Sequence, residues 1–268
     1  MIPTTDSAQI IGLDIGYGYT KATDGSTRVT LPSLVGPAVT VKYESDLADR
    51  DGGATITLDG TTWLTGALAR LQSPFTVSPR ARERDPALLR LLTLAALHPL
   101  DRGTGPIRMI TGLPVAWYAD RERLAEALTG LQPARIDGEF VVPEIAEVQV
   151  IPQPFGSFFR TLLNPAGVMT DADALSWERV AVIDVGTHTT DYTLVDNLRY
   201  VEPQSTSIPV AMARVYELLQ RDLAESFDLE LDLHGVEAAV RAGAVRVYGA
   251  QRSIADRVDE IQGTVAQE

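Results

Sequence analysis

The chain has no cysteine, which excludes disulfides, thiolate metal sites and cysteine nucleophiles. Its only histidines are His98, His188 and His234, and their separations do not match the spacing of metal ligands. The longest apolar-rich run, residues 88–100, contains Arg90 and is too short to span a bilayer. The start of the chain, MIPTTDSAQ, lacks the basic and apolar regions of a signal peptide. These features predict a cytoplasmic protein that does not bind a membrane.

Basic residues are also scarce, with 23 Lys and Arg against 36 Asp and Glu, so that the net charge is -13. Direct, sequence-independent binding of DNA or RNA needs a basic surface, and this charge argues against it. The apolar content of 45% and the charged content of 22% are ordinary for a globular protein. A chain of 268 residues is long enough for two domains with substantial cores.

One pattern occurs twice. The first copy is IGLDIGYGYTK at residues 11–21, and the second is AVIDVGTHTTD at residues 181–191. Each copy is an apolar run followed by Asp, an apolar residue, Gly and, four positions later, Thr. Asp14 and Asp184 are 170 positions apart, and the glycines and threonines of the two copies keep the same offset. The repeat predicts two related domains, each with a strand that enters a tight turn.

The chemistry of the two turns points to a nucleotide. Turns built from small residues allow backbone N–H groups to approach a phosphate closely. Asp14 and Asp184 would repel that phosphate unless a divalent metal lay between them. The repeat therefore predicts a Mg²⁺-nucleotide complex in a cleft between two domains.

The first half of the sequence reads as strands, a hairpin and three helices. Asp59-Gly60 separates two β-branched runs and predicts a hairpin over residues 55–65. Asp85 followed by Pro86 predicts the start of an apolar helix that ends at Leu97. The other elements predicted here are strands at 9–13, 19–22, 28–31, 107–111, 140–142 and 146–151, and helices at 120–128 and 154–163.

The second half repeats the order of a hairpin followed by helices. We expect strands at 180–185, 190–195, 200–203 and 245–248, with a turn at Asp196-Asn197, and helices at 210–226, 236–241 and 253–263. Each glycine turn joins two antiparallel strands, whereas in a Rossmann fold it would open a helix. The fold class is therefore predicted as α/β, with two ribonuclease-H-like domains around a nucleotide cleft.

The two turn sequences, residues 14–21 and 184–191, resemble the phosphate loops of the actin, heat-shock chaperone and sugar kinase superfamily. Conventional actin also carries a lysine seven residues after the aspartate of its first loop, which matches Lys21. Lys21 and Lys42 are the only lysines in the chain. A compact ammonium group suits phosphate binding, so the resemblance implies that role for Lys21.

Further segments resemble the ParM-type actins, which segregate plasmids. These segments are Leu31-Pro32-Ser33, Thr111 to Val115, Ile151 to Gly156 and, near the end of the chain, Val236 to Gly249. The family's third glycine-rich turn, which contacts adenosine, has no counterpart after Gly249. We therefore expect either a truncated chain or a short actin. The implied domains are actin-like domain I at 1–165, with a small insertion at about 33–105, and domain II at 166–268.

The resemblance also implies roles for individual residues. Asp14 and Asp184 would organise Mg²⁺, mostly through its water ligands, and both are expected to be catalytic. Gln153 stands where relatives carry Gln or Glu to orient the attacking water. The implied nucleotide-binding residues are Gly16, Tyr17, Gly18, Tyr19, Thr20, Lys21, Gly186, Thr187, His188, Thr189, Thr190, Glu237 and Arg241. Glu237 and Arg241, one helical turn apart, could instead form a surface ion pair.

The function implied by the resemblance is an ATPase, using ATP or GTP with Mg²⁺, that self-associates into filaments. In a ParM-type protein the filament would move DNA through a separate DNA-binding adaptor protein. Two alternatives stay open at this point. One is a small-molecule kinase of the same superfamily, of the pantothenate or sugar kinase type. The other is a nucleotide-binding regulator that neither polymerises nor transfers phosphate.

Overall fold

The computed structural model of the protein describes residues 8–39, 52–79, 85–164, 167–169 and 178–268. The predicted domain boundary at 165–166 and most of the loop from 164 to 176 lie outside these ranges. In the first half the strands are β1 (Gln9–Ile15), β2 (Tyr19–Thr23), β3 (Arg28–Pro32), β4 (Val35–Pro37), β5 (Thr55–Leu58), β6 (Thr61–Thr65), β7 (Ile107–Leu113), β8 (Gly130–Leu131), β9 (Ala134–Ile136), β10 (Glu139–Val141) and β11 (Glu144–Pro152). The helices there are α1 (Gly66–Gln72), α2 (Pro86–Leu97), α3 (Arg121–Leu128) and α4 (Pro154–Leu162), with a 3₁₀ helix at Val115–Asp120.

In the second half the strands are β12 (Arg179–Val185), β13 (Thr190–Asp196), β14 (Arg199–Tyr200), β15 (Thr206–Ile208), β16 (Ala244–Val247) and β17 (Ala250–Ser253). The helices are α5 (Met212–Phe227), α6 (Leu233–Ala242) and α7 (Ala255–Val265), with a 3₁₀ turn at Glu202–Gln204. Across the described ranges, no helix combines the length and the apolar character needed to cross a membrane.

A six-stranded sheet with the order β3-β2-β1-β7-β11-β8 organises the first domain. β1 lies between antiparallel β2 and parallel β7, and β11 runs parallel to β7. Alternate residues of β1 are buried because the strand is central: Ile11, Leu13 and Ile15. The carboxyl ends of parallel strands meet at one edge of a sheet. The residues at or next to the ends of β1, β7 and β11 are thus gathered there.

Helix α2 is apolar on nearly every face because it packs between two sheets. It contacts β1, β2 and β3 of the main sheet and β4, β5 and β6 of a second one. The predicted start is confirmed, since the Asp85 carboxylate accepts a hydrogen bond from the N–H of Ala87. Helices that are apolar all round are typical of such buried positions.

The second sheet of domain I has the order β10-β9-β5-β6-β4. Its β5–β6 hairpin matches the predicted one, and Asp59 and Gly60 both have positive φ angles, of 50° and 80°. Two consecutive positive φ angles define the type I′ turn that Asp-Gly favours. The sheet combines residues 35–65 with residues 134–141. Its strands therefore come from segments that precede and follow β7 in the sequence. The bounds of the predicted insertion at 33–105 stay a prediction.

The second domain is built on the β12–β13 hairpin, and β14 and β15 both pair with β13. Helix α4 packs against this hairpin, where Phe155 and Phe158 cluster with Val195. A separate core joins α5, α6, α7 and β16 around Leu219 and Leu223, both fully buried. Helix α6 has an Asp232 cap at its start and Gly243, at φ 65°, after its end.

Two expectations for the second half are wrong in detail. The strand predicted at 200–203 is confirmed only at its start, where Tyr200 of β14 pairs with Val195. Pro203, which has no N–H for a ladder, lies in the 3₁₀ turn. The sheet is extended further by β15, a strand the sequence pattern did not indicate.

The last helix begins later than expected. Ser253 ends β17, and α7 starts at Ala255. β16 and β17 form a hairpin across Tyr248 and Gly249, whose φ angles are 48° and 83°. The sequence pattern gave no sign of β17 because a tyrosine is an unusual residue at a position of positive φ.

Candidate functional site

The two glycine turns have the same backbone structure. The N–H of Gly16 donates to the carbonyl of Tyr19 at 3.0 Å, and the N–H of Gly186 donates to the carbonyl of Thr189 at 2.9 Å. The flanking strands pair in the same register, with Ile15 opposite Thr20 in the first domain. The equivalent pair in the second domain is 185 and 190. The sequence repeat is thus a structural repeat.

Glycine is required in both turns because of close backbone approach. A Cβ added to Gly16 would lie 2.9 Å from the Tyr19 carbonyl oxygen, and one added to Gly186 would lie 3.0 Å from that of Thr189. The turns also meet across the two domains. A Cβ on Gly18 would lie 2.8 Å from Oγ1 of Thr187. Both turns therefore border one cleft.

Aromatic rings extend this contact between the domains. The buried Tyr17 ring packs edge-on against His188 of the second turn, with centroids 5.2 Å apart. Tyr17 also packs edge-on against Trp117, with centroids 6.1 Å apart. Tyr17 and His188 are thus placed at the cleft, where they support the two turns against each other.

Three predicted polar residues converge at the carboxyl edge of the first sheet. Lys21 Nζ lies 3.7 Å from the Asp14 carboxylate, its cross-strand partner. The side-chain amide of Gln153 donates to Asp14 Oδ1 at 2.8 Å. Because Gln153 follows β11 and Asp14 lies near the end of β1, the parallel strands bring together residues far apart in sequence.

Gly112, near the end of β7, makes room for Gln153. A Cβ at Gly112 would lie 2.8 Å from Gln153 Cγ and 3.2 Å from its Cα. No sequence pattern indicates this contact, since it arises from strand register. The absence of a side chain at Gly112 therefore helps to place the Gln153 amide next to Asp14.

Asp184 lies near the end of β12, half-buried, on the second domain's side of the cleft. Burial raises the pKa of its carboxyl above the ordinary value, and repulsion from Asp191 and then from Asp14 adds to the rise. The charge of Lys21 partly opposes it. Asp14 and Lys21 of the first domain thus act electrostatically on Asp184 of the second.

Two of the predicted phosphate-binding threonines have internal partners. The Thr20 hydroxyl, fully buried, hydrogen-bonds with Ser33 Oγ at 2.9 Å. The Thr190 hydroxyl donates to the carbonyl of Val210 at 2.7 Å. Their side chains therefore fix the ends of the two turns to neighbouring segments. Their assignment as nucleotide contacts stays a prediction.

Glu237 and Arg241 form the ion pair that the helical spacing allowed, at 2.6 Å. The pair faces Tyr19 of the first turn, whose ring centroid lies 5.7 Å from the Arg241 guanidinium carbon. Burial, and then the charge of Glu237 and a hydrogen bond to it, raises the pKa of Tyr19. The His234 ring packs against Tyr19 at 5.9 Å. These residues join the first turn to α6, and their place beside a nucleotide ring stays a prediction.

The donor set suits Mg²⁺ held in part by other ligands. Within the described ranges, no group of three or more His, Cys, Asp or Glu side chains could hold a metal ion by itself. Mg²⁺ is usually bound by one or two carboxylates together with water and phosphate oxygens. Asp14 and Asp184 are two hard oxygen donors on either side of the cleft, so their chemistry fits that mode.

Each half of the chain matches a known protein family. Residues 12–156 match the family described as actin-like proteins, N-terminal domain. Residues 182–268 match the family described as archaeal actin homologue MreB-like, C-terminal. No curated protein matches the chain.

Solved structures with a similar fold include a 15-stranded ParM filament from Clostridium botulinum. The two are 18% identical, the match covers 97% of this chain and 81% of that one, and the TM-score is 0.76. The archaeal actin homologue Ta0583 in complex with ADP is 18% identical, with 96% and 78% covered and a TM-score of 0.72. The actin-like protein Alp7A is 16% identical, with 96% and 78% covered and a TM-score of 0.73.

At these identities the structural likeness shows the fold, and the family match over more than half of the chain shows the family. The protein therefore belongs to the actin-like proteins and has their two-domain α/β fold, as in ParM and the archaeal actin homologues.

Proposed function

We propose that this protein is a filament-forming ATPase that binds a Mg²⁺-nucleotide between its two glycine turns. The observation that carries the proposal is the convergence of Asp14, Lys21 and Gln153 on a cleft whose other side holds Asp184. Repeated turns of close-packed glycine backbone suit phosphate groups. The ADP complex of the similarly folded Ta0583 supports a nucleotide as the ligand.

Each residue of the cleft has a separate role in the proposed reaction. Backbone N–H groups of the two turns and the Lys21 ammonium bind and orient the phosphates. Asp14 and Asp184 would hold Mg²⁺, which supplies charge neutralisation for the phosphates when bound. Gln153, fixed by Asp14, orients the attacking water, and Asp184 helps to activate it. Positioning and electrostatics of this kind carry most of phosphoryl-transfer catalysis.

Self-association into filaments is proposed from the fold, since a ParM filament is among the similar structures. Nucleotide binding would favour assembly, and hydrolysis would favour disassembly. The acidic chain, with a net charge of -13, is poorly suited to bind DNA itself. We propose that it moves plasmid DNA in the cytoplasm through a separate basic adaptor protein.

Replacement of Asp184 by Ala tests the proposal. Phosphate binding keeps the turn backbones and Lys21, while one carboxylate that positions Mg²⁺ and water is lost. We expect hydrolysis to slow by roughly a hundredfold or more, about 3 kcal/mol, with a much smaller loss of nucleotide affinity. Filaments of the variant should persist with ATP. Phosphate release, nucleotide binding and sedimentation over time are the measurements.

The matched control is Asp196→Ala, in the same two-stranded ladder. Asp196 lies at the far end of the ladder, where it pairs with Arg179 at 2.8 Å. Its replacement should leave hydrolysis unchanged. Wild-type hydrolysis by the Asp184 variant would contradict the role. If the wild type binds ATP but neither scatters more light nor sediments, it is no filament former. A screen for phosphate transfer to small molecules would then separate a kinase from a regulator.

A further inference from the structure

Asp191, the last residue of the second repeat, joins the two domains. It lies on β13 and is 3% exposed, although the sequence singled it out for no role. Its Oδ1 accepts a hydrogen bond from the backbone N–H of Val115 at 3.3 Å, and Val115 belongs to the first domain. A buried carboxylate needs such donors, because an uncompensated buried charge is costly.

Ser207 completes the connection. It lies on β15 directly opposite Asp191, and its hydroxyl donates to Asp191 Oδ1. The Ser207 Oγ itself accepts a hydrogen bond from the backbone N–H of Ala116 at 3.0 Å. Two side chains of the second domain thus bind two consecutive N–H groups of the first.

These donors have no cap from their own segment. Val115 and Ala116 begin the 3₁₀ helix at Val115–Asp120, and the preceding residue, Pro114, makes no side-chain cap. The first N–H groups of a helix have no partner within it. Asp191 and Ser207 of the second domain therefore supply the hydrogen-bond acceptors that these two N–H groups lack in their own segment.

The same carboxylate reaches the second glycine turn. The Thr189 hydroxyl lies 3.5 Å from Asp191 Oδ2, a long contact, and Asp184 lies directly opposite Asp191 in the β12–β13 ladder. A rotation of one domain against the other would break the bonds from Val115 and Ala116 together, since these residues are adjacent. The position of the second glycine turn therefore depends on the angle between the domains.

We propose that Asp191 and Ser207 are positioning residues that lock the second phosphate turn to the first domain. When the lock is closed, Asp184 and the turn are held in the arrangement that hydrolysis needs. When the domains rotate apart, the turn loses this support. The inference rests on the proposed ATPase function for its consequence, but the lock itself is a set of bonds that can be measured without nucleotide.

The test compares Ser207→Ala with Ser205→Ala. The Ser205 hydroxyl bonds within the second domain, accepting from the N–H of Leu194 at 3.1 Å and donating to the carbonyl of Val201 at 2.9 Å. Hydrogen exchange of the Val115 and Ala116 amides is the first readout. We expect these amides to exchange about tenfold faster in Ser207→Ala than in the wild type, and at the wild-type rate in Ser205→Ala. The reason is that only the Ser207 variant loses a hydrogen bond between the domains.

Phosphate release is the second readout. We expect kcat to fall about tenfold in Ser207→Ala with little change in KM, because the turn is misplaced more than binding is lost. Ser207→Thr, which keeps the hydroxyl, should restore both readouts. Unchanged exchange in Ser207→Ala, or an equal fall of kcat in Ser205→Ala, would overturn the proposal. If the wild type releases no phosphate, the proposed function fails, while the exchange rates still decide whether the lock exists.

Discussion

Asp184 lies directly opposite Asp191 in the second domain, whereas the equivalent position in the first domain places Lys21 opposite Asp14. The two turns share a backbone but differ in charge at this one position. Lys21 compensates the charge of Asp14, while Asp191 repels that of Asp184 and helps to raise its pKa. Like charges directly opposite each other in a ladder are destabilising. The repeat thus places two carboxylates on the two sides of one cleft, one opposite a cation and the other opposite a second carboxylate.

The first prediction concerns stability against pH. The pKa of Asp184 is raised by burial first and then by Asp191 and Asp14. A carboxyl whose pKa is higher in the folded than in the unfolded chain does not lower the free energy of unfolding at a pH where both states are protonated. It lowers that free energy most when the pH exceeds the folded pKa. Without nucleotide or Mg²⁺, Asp184→Asn should therefore raise the free energy of unfolding at pH 7. The gain should vanish as pH falls below about 4, the ordinary pKa of Asp.

Urea denaturation at a series of pH values measures this effect. Asp196→Asn is the control, because its carboxylate is paired with Arg179 and its loss should be neutral or slightly destabilising. An Asp184→Asn variant that is less stable than the wild type at pH 7 would show that the ionised carboxylate is stabilised by other contacts.

The second prediction concerns Lys21. Its ammonium is the positive charge next to Asp14 at the cleft, and Lys21→Gln should weaken nucleotide binding by about tenfold. The difference from the wild type should shrink at high salt, because the side chain is exposed and its charge is screened. Calorimetric titration with nucleotide at two salt concentrations is the measurement. Arg28→Gln, on β3 of the same sheet, is the control, and an equal loss there would indicate a general charge effect.

The third prediction uses Gly112 to move Gln153. A Cβ at Gly112 would press on the Gln153 side chain and backbone, so Gly112→Ala should displace the amide from Asp14. We expect phosphate release to slow by about tenfold with nucleotide affinity nearly unchanged. Gly156→Ala is the control, because a Cβ there would meet no atom within 4 Å. Normal hydrolysis by Gly112→Ala would mean that the bond from Gln153 to Asp14 is not required.

The fourth prediction concerns the second core of domain II. Leu219 is fully buried among helices α5, α6 and α7, and Leu219→Ala should cost about 2–5 kcal/mol of unfolding free energy. Calorimetric or urea unfolding measures the loss. Leu71→Ala is the control, since Leu71 is 71% exposed and its truncation should change stability by less than about 0.5 kcal/mol. A loss no greater than that of the control would mean that the α5–α7 core contributes little.

Features that depend on a few neighbouring residues could be predicted from the amino-acid sequence alone. Asp59-Gly60 specifies its hairpin because both residues tolerate positive φ, and Asp85-Pro86 specifies the start of α2 through capping and a fixed φ. The two glycine turns were also readable, since each is a local strand, turn and strand with the same residues. Their constant separation was enough to indicate two related domains.

Contacts and hydrogen bonds between distant side chains could not be predicted in this way, because they depend on how the strands and domains pack. One example is the hydrogen bond between the Thr20 hydroxyl and Ser33. Another is β15, which forms because it lies beside β13, and whose three residues are too few to show a strand pattern. The contact of Gly112 with Gln153 follows from the register of β7 and β11, and that of Asp191 with Val115 from the packing of two domains. Such contacts join residues far apart in sequence, where loop closure and packing, rather than local preference, set the geometry.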